Sequence, residues 1–325
     1  MKKVLLLDTS IATQNIGDEI INDSIRMNWK ELYEENYICK FPTHTPPYSW
    51  WQQLLVPRKF ERLSHSDYKF LCGTNALYTN MMRPLPQWNV YPWNALFFRN
   101  TVLVGVGAGI NSKRVNFYTR LLYNKVLSKD YVHSTRDEYT KEMLISMGFR
   151  AVNTGCPTLW GLTEEYCTKI PTVKSKKVIF TLTGYQPDID NDRLMIEILS
   201  KNYSEMYFWP QTPTDLDYLY ELGDFDVKIV TPNLCAYDKI LGNYDIDYVG
   251  NRLHGGIRAL QYACRSLIIS IDYRAMNMAE QYRLPVIKRE EIKNKLDIFI
   301  NSFYKTELRG INWDLISEWK NQFDF

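Results

Sequence analysis

The stretch Tyr248-Val249-Gly250-Asn251-Arg252-Leu253-His254-Gly255-Gly256-Ile257-Arg258 reads as a strand that ends in a sharp turn and runs into a helix. Backbone amides at a helix N-terminus point outward with partial positive charge, so such a junction is a ready anion site. Two glycines let a ligand approach the backbone closely. Arg252 offers a planar fork suited to phosphate or carboxylate. His254 can hold an anion or move a proton near neutral pH. Arg258, four residues past His254, falls on the same helix face. Singly, each residue has a plainer reading: Arg252 can pair with Asp245 or Asp247, and His254 can cap or pack the helix. Together, at one strand-to-helix turn, they favour anion binding.

Outward from this junction, short apolar runs alternate with helical periodicity, which is the pattern of βαβ units and a parallel sheet. In the later half, residues 178–182, 206–209, 227–230, 246–249 and 267–271 read as strands, and 193–199, 216–222 and 254–264 as helices. In the earlier half, 4–7, 68–72, 102–106 and 132–133 read as strands, and 17–33, 118–127 and 137–147 as helices, the last closed by Gly148. Helical segments are expected at 290–304 and 313–319. Residues 163–175, polar and interrupted by Pro171, read as a linker. The expected fold is α/β: two Rossmann-like doubly wound domains, 1–165 and 166–325, facing a cleft. Open α/β sheets bind ligands outside the carboxyl ends of their strands, so chemistry is expected in those loops.

Composition narrows the function. The chain has 325 residues, 45% of them apolar, enough for two ordinary cores. Lys and Arg total 39 against 37 Asp and Glu, a balance that excludes a dedicated nucleic-acid binder. An anionic substrate must therefore meet a local positive cluster. Six Cys without CxxC spacing suit a reducing compartment. The apolar run after Lys3 is cut short by Asp8, so it reads as a first strand rather than a signal core. No run approaches the roughly 18 apolar residues of a membrane span. The four His stand apart in sequence, no Cys/His cluster has zinc spacing, and no phosphate-binding GxxxxGK[ST] loop occurs, so no metal and no cofactor are expected. Gly105 to Gly109 is a weak dinucleotide fingerprint and reads better as a tight turn.

Two further loops carry candidates. Asn15-Ile16-Gly17-Asp18-Glu19 follows the first strand and opens a helix. Its acids can simply offset the helix dipole, the better account of Glu19. For Asp18 a general base is an equal alternative. In Ser134-Thr135-Arg136-Asp137-Glu138, Ser134 or Thr135 can cap the next helix, while Arg136 is either a surface residue or a donor to an anion. Between His44 and Trp93, an aromatic and proline-rich insertion holds Trp50-Trp51, then Arg58-Lys59, then Trp88 and Trp93. Packing by its own rings is the plainer account. An acceptor platform for sugar faces, with basic residues near a diphosphate or a membrane, is the other.

These three motifs, in this order, resemble the polysaccharide pyruvyl transferase family over most of the chain, from about Asn15 to Asp272. The loop 15–19 is similar to the family's N-x-G-D loop, 134–137 to its S-x-R-D element, and Arg252-Leu253-His254 to its Arg-x-His junction. The later strand ending in Asp272 agrees. The chain departs at Cys264-Arg265-Ser266, where Gly-x-Pro is common, and at Cys156-Pro157, where Asp often precedes the proline. The resemblance implies a glycosyltransferase-B-like architecture. It also implies transfer of pyruvate from phosphoenolpyruvate to two hydroxyls of one sugar, in a bacterial-type surface polysaccharide or its lipid-linked precursor. A ketal forms and phosphate is released. Arg136, Arg252, His254, Gly255 and Gly256 would hold phosphoenolpyruvate. His254 would be the acid and Asp18 the base. Asn15, Gly17, Trp50 and Trp51 would lie on the acceptor side. A cytoplasmic location follows, with peripheral contact at the inner face of the membrane open to it. The alternatives are a nucleotide-sugar glycosyltransferase of the same architecture and a catalytically silent carbohydrate-binding protein.

Overall fold

A strand covered on both faces inside a parallel sheet reads as an unbroken apolar run, and β1 (Lys3–Asp8) occupies that position. In the computed structural model, which describes residues 1–84, 86–109, 114–243 and 245–325, the chain forms two compact units. The first comprises Met1–Thr13, Ile21–Trp160 and Asn312–Phe325; the second comprises Gln14–Ile20 and Gly161–Ile311.

In the first unit β1 lies between β2 (Tyr37–Pro42) and β3 (Tyr68–Cys72), all parallel, with Leu5 opposite both Cys39 and Lys69. β4 (Leu77–Tyr78) follows, and β5 (Thr101–Val104) completes the order β2-β1-β3-β5. β6 (Ala108–Gly109) pairs with β4. β7 (His133–Thr135) and β8 (Ala151–Asn153) pair in parallel, and a bridge from Val106 to Thr135 sets them beside the end of β5. The helices are α1 (Ile16–Asn28), which belongs to this unit from Ile21 onward, α2 (Lys30–Glu34), α3 (Trp50–Leu55), α4 (Pro57–Ser64), α5 (Phe117–Val126) and α6 (Glu138–Ser146). Asp137 caps α6 by accepting from the Thr140 amide, so neither Ser134 nor Thr135 does. Gly148 closes that helix at φ 92°, a left-handed angle that favours glycine.

The second unit begins with α7 (Glu164–Cys167) and a six-stranded parallel sheet of β9 (Lys177–Thr181), β10 (Glu205–Phe208), β11 (Lys228–Ile229), β12 (Asp247–Gly250), β13 (Ser266–Ser270) and β14 (Val286–Lys288). Spatial order is β11-β10-β9-β12-β13-β14. Counted within the unit this is 3-2-1-4-5-6, and strand order reverses between β9 and β12. That gap is the topological switch point where open α/β sheets take their ligands. The connecting helices are α8 (Ile189–Asn202), α9 (Pro213–Leu222), α10 (Leu234–Asn243), α11 (Leu253–Gln261) and α12 (Tyr273–Tyr282). Arg289 to Leu296 turns first as a 3₁₀ and then as a π segment before α13 (Asp297–Asn301), in place of one expected helix. α14 (Trp313–Lys320) belongs to the first unit.

The units therefore differ from two contiguous halves. The segment 163–175 holds α7 and belongs wholly to the second unit. The chain's end returns to the first unit because Trp319 and Phe323 pack edge-on against Trp29 and Phe70. The loop at residues 14–20 joins the second because the Ile16 amide donates to the Gln211 carbonyl at 3.3 Å.

Candidate functional site

At the switch point, three strand ends are tied to one buried carboxylate. Asp215, in the first turn of α9, accepts from the Gly184 amide beyond β9 and from the Gln211 and Thr212 amides beyond β10, each at 3.0 Å. Its fourth donor is Nη2 of Arg252, beyond β12, in a short ion pair. Asp215 is fully buried and Arg252 nearly so. Such a pair is tolerated only where other hydrogen bonds support it, and here the four donors satisfy both oxygens of Asp215.

Arg252 thus pairs with Asp215, not with Asp245 or Asp247. Asp247 is taken by Arg265 at 3.2 Å. The Arg252 Nε donates to the Leu182 carbonyl at 3.0 Å, Nη2 also reaches Thr212 Oγ1 at 3.1 Å, and the guanidinium lies 5.0 Å from the centre of the Tyr185 ring. Among the described residues no partner is recorded for Nη1. The fork is therefore locked at two nitrogens and open at one.

α11 begins immediately after Arg252, and no side chain caps it. Its first ladder bond runs from the Gly256 amide to the Arg252 carbonyl at 3.0 Å, and Tyr248 Oη donates to the same carbonyl at 2.8 Å. Gly256 is consequently not an open anion donor; the amides that precede the ladder are those of Leu253, His254 and Gly255. Nor do the two glycines open the backbone to a ligand. A Cβ on Gly256 would meet Ile268 at 2.5 Å and the Tyr248 ring at 2.8 Å, and one on Gly255 would meet the Gln211 amide at 2.7 Å. Both glycines make room for protein. His254 sits half-buried in the first turn of the helix. Arg258 is sequestered in an ion pair with Asp238 of α10 at 2.6 Å.

The structure brings the N-terminal loop to this same place. Asn15 Oδ1 accepts the Gly17 amide at 3.0 Å, turning the chain into α1. A Cβ on Gly17 would lie 3.3 Å from Oε1 of Gln211. The Gln211 side chain therefore lies between Gly17 on one side and Gly255 on the other. Its Nε2 is buried without a hydrogen-bond partner among the described residues. Asp18 is buried in the first turn of α1, and Glu19 is exposed.

Next along the sheet a crevice of about 600 Å³ opens at the carboxyl ends of β13 and β14, lined by Gln186, Asp188, Asp272, Tyr273, Lys288 and Arg289. Asp272 caps α12 and pairs with Arg274 at 2.6 Å. Burial alone would raise its carboxyl, but the Arg274 guanidinium holds it below the usual range. Arg265, where the sequence departs from its expected pattern, is a scaffold residue. It binds Asp247 and the carbonyls of Phe299, Ile300 and Ser302, and lies 4.2 Å from the Tyr304 ring.

The remaining candidates belong to the first unit. Arg136 Nη2 donates to Asn75 Oδ1 at 2.5 Å, and Gly107 leaves the space in which they meet. Trp50 and Trp51 lie exposed on α3, whereas Trp88 is fully buried against Phe98, and Trp93 stacks on Tyr91. The insertion is thus packed in part by its own rings, while Trp50, Trp51 and one face of the Trp93 stack stay exposed.

The model of the polysaccharide pyruvyl transferase family matches residues 15–273, a span that takes in all three motif loops. The chain belongs to this family. Membership makes it a transferase of polysaccharide biosynthesis with a sugar or polysaccharide acceptor. Among curated proteins none matches the chain. Among solved structures it is similar to the UDP-GlcNAc 2-epimerase of Methanocaldococcus jannaschii, at 12% identity and TM-score 0.51 over 99% of each chain. It is also similar to a Listeria monocytogenes protein described as a UDP-N-acetylglucosamine 2-epimerase, at 10% identity and TM-score 0.52 over 99% of this chain and 97% of that one. The α/β fold of this pyruvyl transferase family member is of the glycosyltransferase-B-like class.

Gln211, Asp215 and Tyr185 escaped the sequence reading. The signal for Asp215 was present: Thr212-Pro213-Thr214-Asp215 is a helix start with an acid at the third position, and it forms a capping box. Gln211 carries no such signal, because only the fold sets it between two glycines 238 positions apart (255 minus 17).

Proposed function

We propose that the chain moves pyruvate from phosphoenolpyruvate onto two hydroxyls of one sugar, in a surface polysaccharide or its lipid-linked precursor. The product is a cyclic ketal and phosphate is released. The observation that carries this reading is the half-committed guanidinium of Arg252, fixed beside the uncapped start of α11 at the switch point. A preorganised donor at a helix N-terminus suits a multiply charged phosphate ester.

In the proposed reaction a proton adds to the donor's methylene carbon, which becomes the methyl group, and one sugar hydroxyl bonds to the central carbon. Phosphate leaves with the C–O bond electrons, and the second hydroxyl closes the ring. Of the two hydroxyl protons, one balances the proton given to carbon and the other leaves with phosphate. The balance closes without a metal or a further cofactor. His254 is the proposed acid and Asp18 the proposed base, Asp18 being one residue from the Gly17 that abuts Gln211. Arg252 and the first amides of α11 bind the donor. Phosphoenolpyruvate is a cytoplasmic metabolite, so the reaction belongs there.

Calorimetry with phosphoenolpyruvate and with nucleotide sugars, alongside phosphate release with sugar-diphosphate-lipid and oligosaccharide acceptors, tests the reading. Phosphoenolpyruvate should bind and phosphate should appear only with an acceptor. Binding of nucleotide sugars without phosphoenolpyruvate replaces this reading by glycosyl transfer. Binding of neither replaces it by a silent carbohydrate-binding role.

A further inference from the structure

The corner formed by α3 and α4 has two unlike sides. On the inner side Tyr48 and Phe60 meet edge to face at 5.7 Å, and both approach Phe97, at 5.8 and 6.1 Å, joining the core of the first unit. A capping box between Ser49 and Gln52 fixes the start of α3. The corner is therefore anchored, and its outer side is outward by construction. That outer side carries Trp50 (62% exposed), Trp51, Leu54 (71%), Leu55 (73%) and Val56. Positions 50 and 54, and 51 and 55, are neighbours one turn apart, so four large apolar side chains form one strip. An exposed cluster of this kind marks an interaction surface, whereas single exposed apolar residues do not.

The charge beside the strip indicates the partner. Arg58 and Arg62, also four apart, are exposed on α4. Neither has an ion-pair partner among the described residues, Glu61 included. Lys59 adds a third basic residue in sequence, although its side chain lies outside the described residues. We propose that this corner docks the protein on an anionic lipid surface, with the Trp and Leu strip in the headgroup boundary and Arg58 and Arg62 on lipid phosphates. Tryptophan rings favour that boundary, and an apolar face flanked by arginines is the pattern of helices that lie in it. A helix of six residues spans only about 9 Å, so α3 rests on a bilayer. No helix among the described residues is long and apolar enough to cross one. A second copy is a poorer partner, because a self-complementary contact sets like residues near one another, and this face offers arginines with no acidic cluster to receive them. The inference rests on the first unit alone and is independent of the donor's identity, though a lipid-linked acceptor would give the docking a use.

Cosedimentation of the full chain with vesicles of phosphatidylcholine, and of phosphatidylcholine mixed with phosphatidylglycerol, tests it. The protein should bind the mixed vesicles and hardly bind the neutral ones, and added salt should release it. Arg58→Gln and Arg62→Gln should each weaken binding about fivefold. The double variant Leu54→Gln/Leu55→Gln should abolish binding with no change in the thermal midpoint, since those side chains face outward. Absence of binding to mixed vesicles, equal binding to both kinds, or binding unmoved by these variants overturns the proposal. So does a dimer in sedimentation velocity that Leu54→Gln/Leu55→Gln makes monomeric, which assigns the face to a second copy. Calorimetry with phosphoenolpyruvate on the same variants reads the donor question separately.

Discussion

Asp215 shows what one buried carboxylate does here. It holds the ends of β9, β10 and β12 in register through four donors, and among them it aims Arg252. Asp215→Ala leaves that guanidinium without its counter-charge in a buried place, and breaking such a pair costs about 3–5 kcal/mol. Chemical denaturation should show that loss, and calorimetry should show weakened binding of phosphoenolpyruvate as Arg252 is released. Unchanged stability in the Asp215→Ala protein would mean that the ion pair does not organise the strand ends. Asp18 separates two roles by a different measurement. As a positioned base it is worth about 10²–10⁴ in rate. As a helix-terminus charge it is worth only ~0.3–1 kcal/mol of stability. Asp18→Asn should therefore keep donor binding and a nearly unchanged thermal midpoint while kcat collapses. A fully active Asp18→Asn protein returns the residue to its helix-terminus role. His254→Gln should likewise depress kcat more than it weakens binding, and remove one limb of the pH profile.

β7 carries a titrating group inside an element. His133 is wholly buried; its Nδ1 accepts from the Leu103 amide at 3.2 Å, and its Nε2–H donates to the Ser128 carbonyl at 2.9 Å. Both bonds are met only by the neutral ring. Burial pushes its pKa down to about 4; the Ser128 carbonyl opposes that shift and Arg150 adds to it. Unfolded, the ring titrates near its ordinary value, so between pH 6.5 and 4 the unfolded chain binds more protons. Stability from this group is complete above pH 6.5 and lost as pH falls toward 4, on the order of 3 kcal/mol in all. Urea titrations across that window should show the fall, and His133→Asn should flatten it. An unchanged slope in His133→Asn would mean that other groups set the acid limb. The elements also differ in how plainly the sequence announces them. β1, β9 and β13 carry continuous apolar runs because both faces are covered, and β3 carries one interrupted by the buried Lys69. β2 is an edge strand, Tyr-Ile-Cys-Lys-Phe-Pro, half-exposed throughout, so no apolar run betrays it. β14, three residues at the other edge, is hidden for the same reason. α10 is weakly announced too, because its buried Leu234, Tyr237 and Leu241 are spread over a short helix next to polar loops. At the site, residue types were legible but their partners were not. Arg252 and Asp215 lie 37 positions apart, and the helix-start pattern at Asp215 does not announce Arg252 as its partner.

At the scale of the molecule, the order of the chain is not the order of its units. The last fourteen residues, Asn312–Phe325, belong with β1 and β3. Trp319 and Phe323 are buried against Trp29 and Phe70, with ring centres 5.1 and 5.0 Å apart respectively. Polar ties add to this: Trp319 Nε1 donates to the Val132 carbonyl at 2.7 Å, and Gln322 Oε1 accepts from the Val132 amide at 2.8 Å. Removing a buried Phe or Trp side chain costs roughly 3–5 kcal/mol, against about 5–15 kcal/mol for a whole domain. Deleting Asn312–Phe325 should therefore unfold the first unit. Hydrogen exchange should rise to the unprotected rate in Lys3–Asp8, Tyr68–Cys72 and His133–Thr135, while Lys177–Thr181 and Asp247–Gly250 keep their slow amides. A chain cut into contiguous halves predicts the reverse, because the deleted helix would then be part of the second domain. If the truncated protein loses protection in Lys177–Thr181 and keeps it in Lys3–Asp8, the C-terminal helix has been placed with the wrong core, since its own rings could not then be what completes the packing around Trp29.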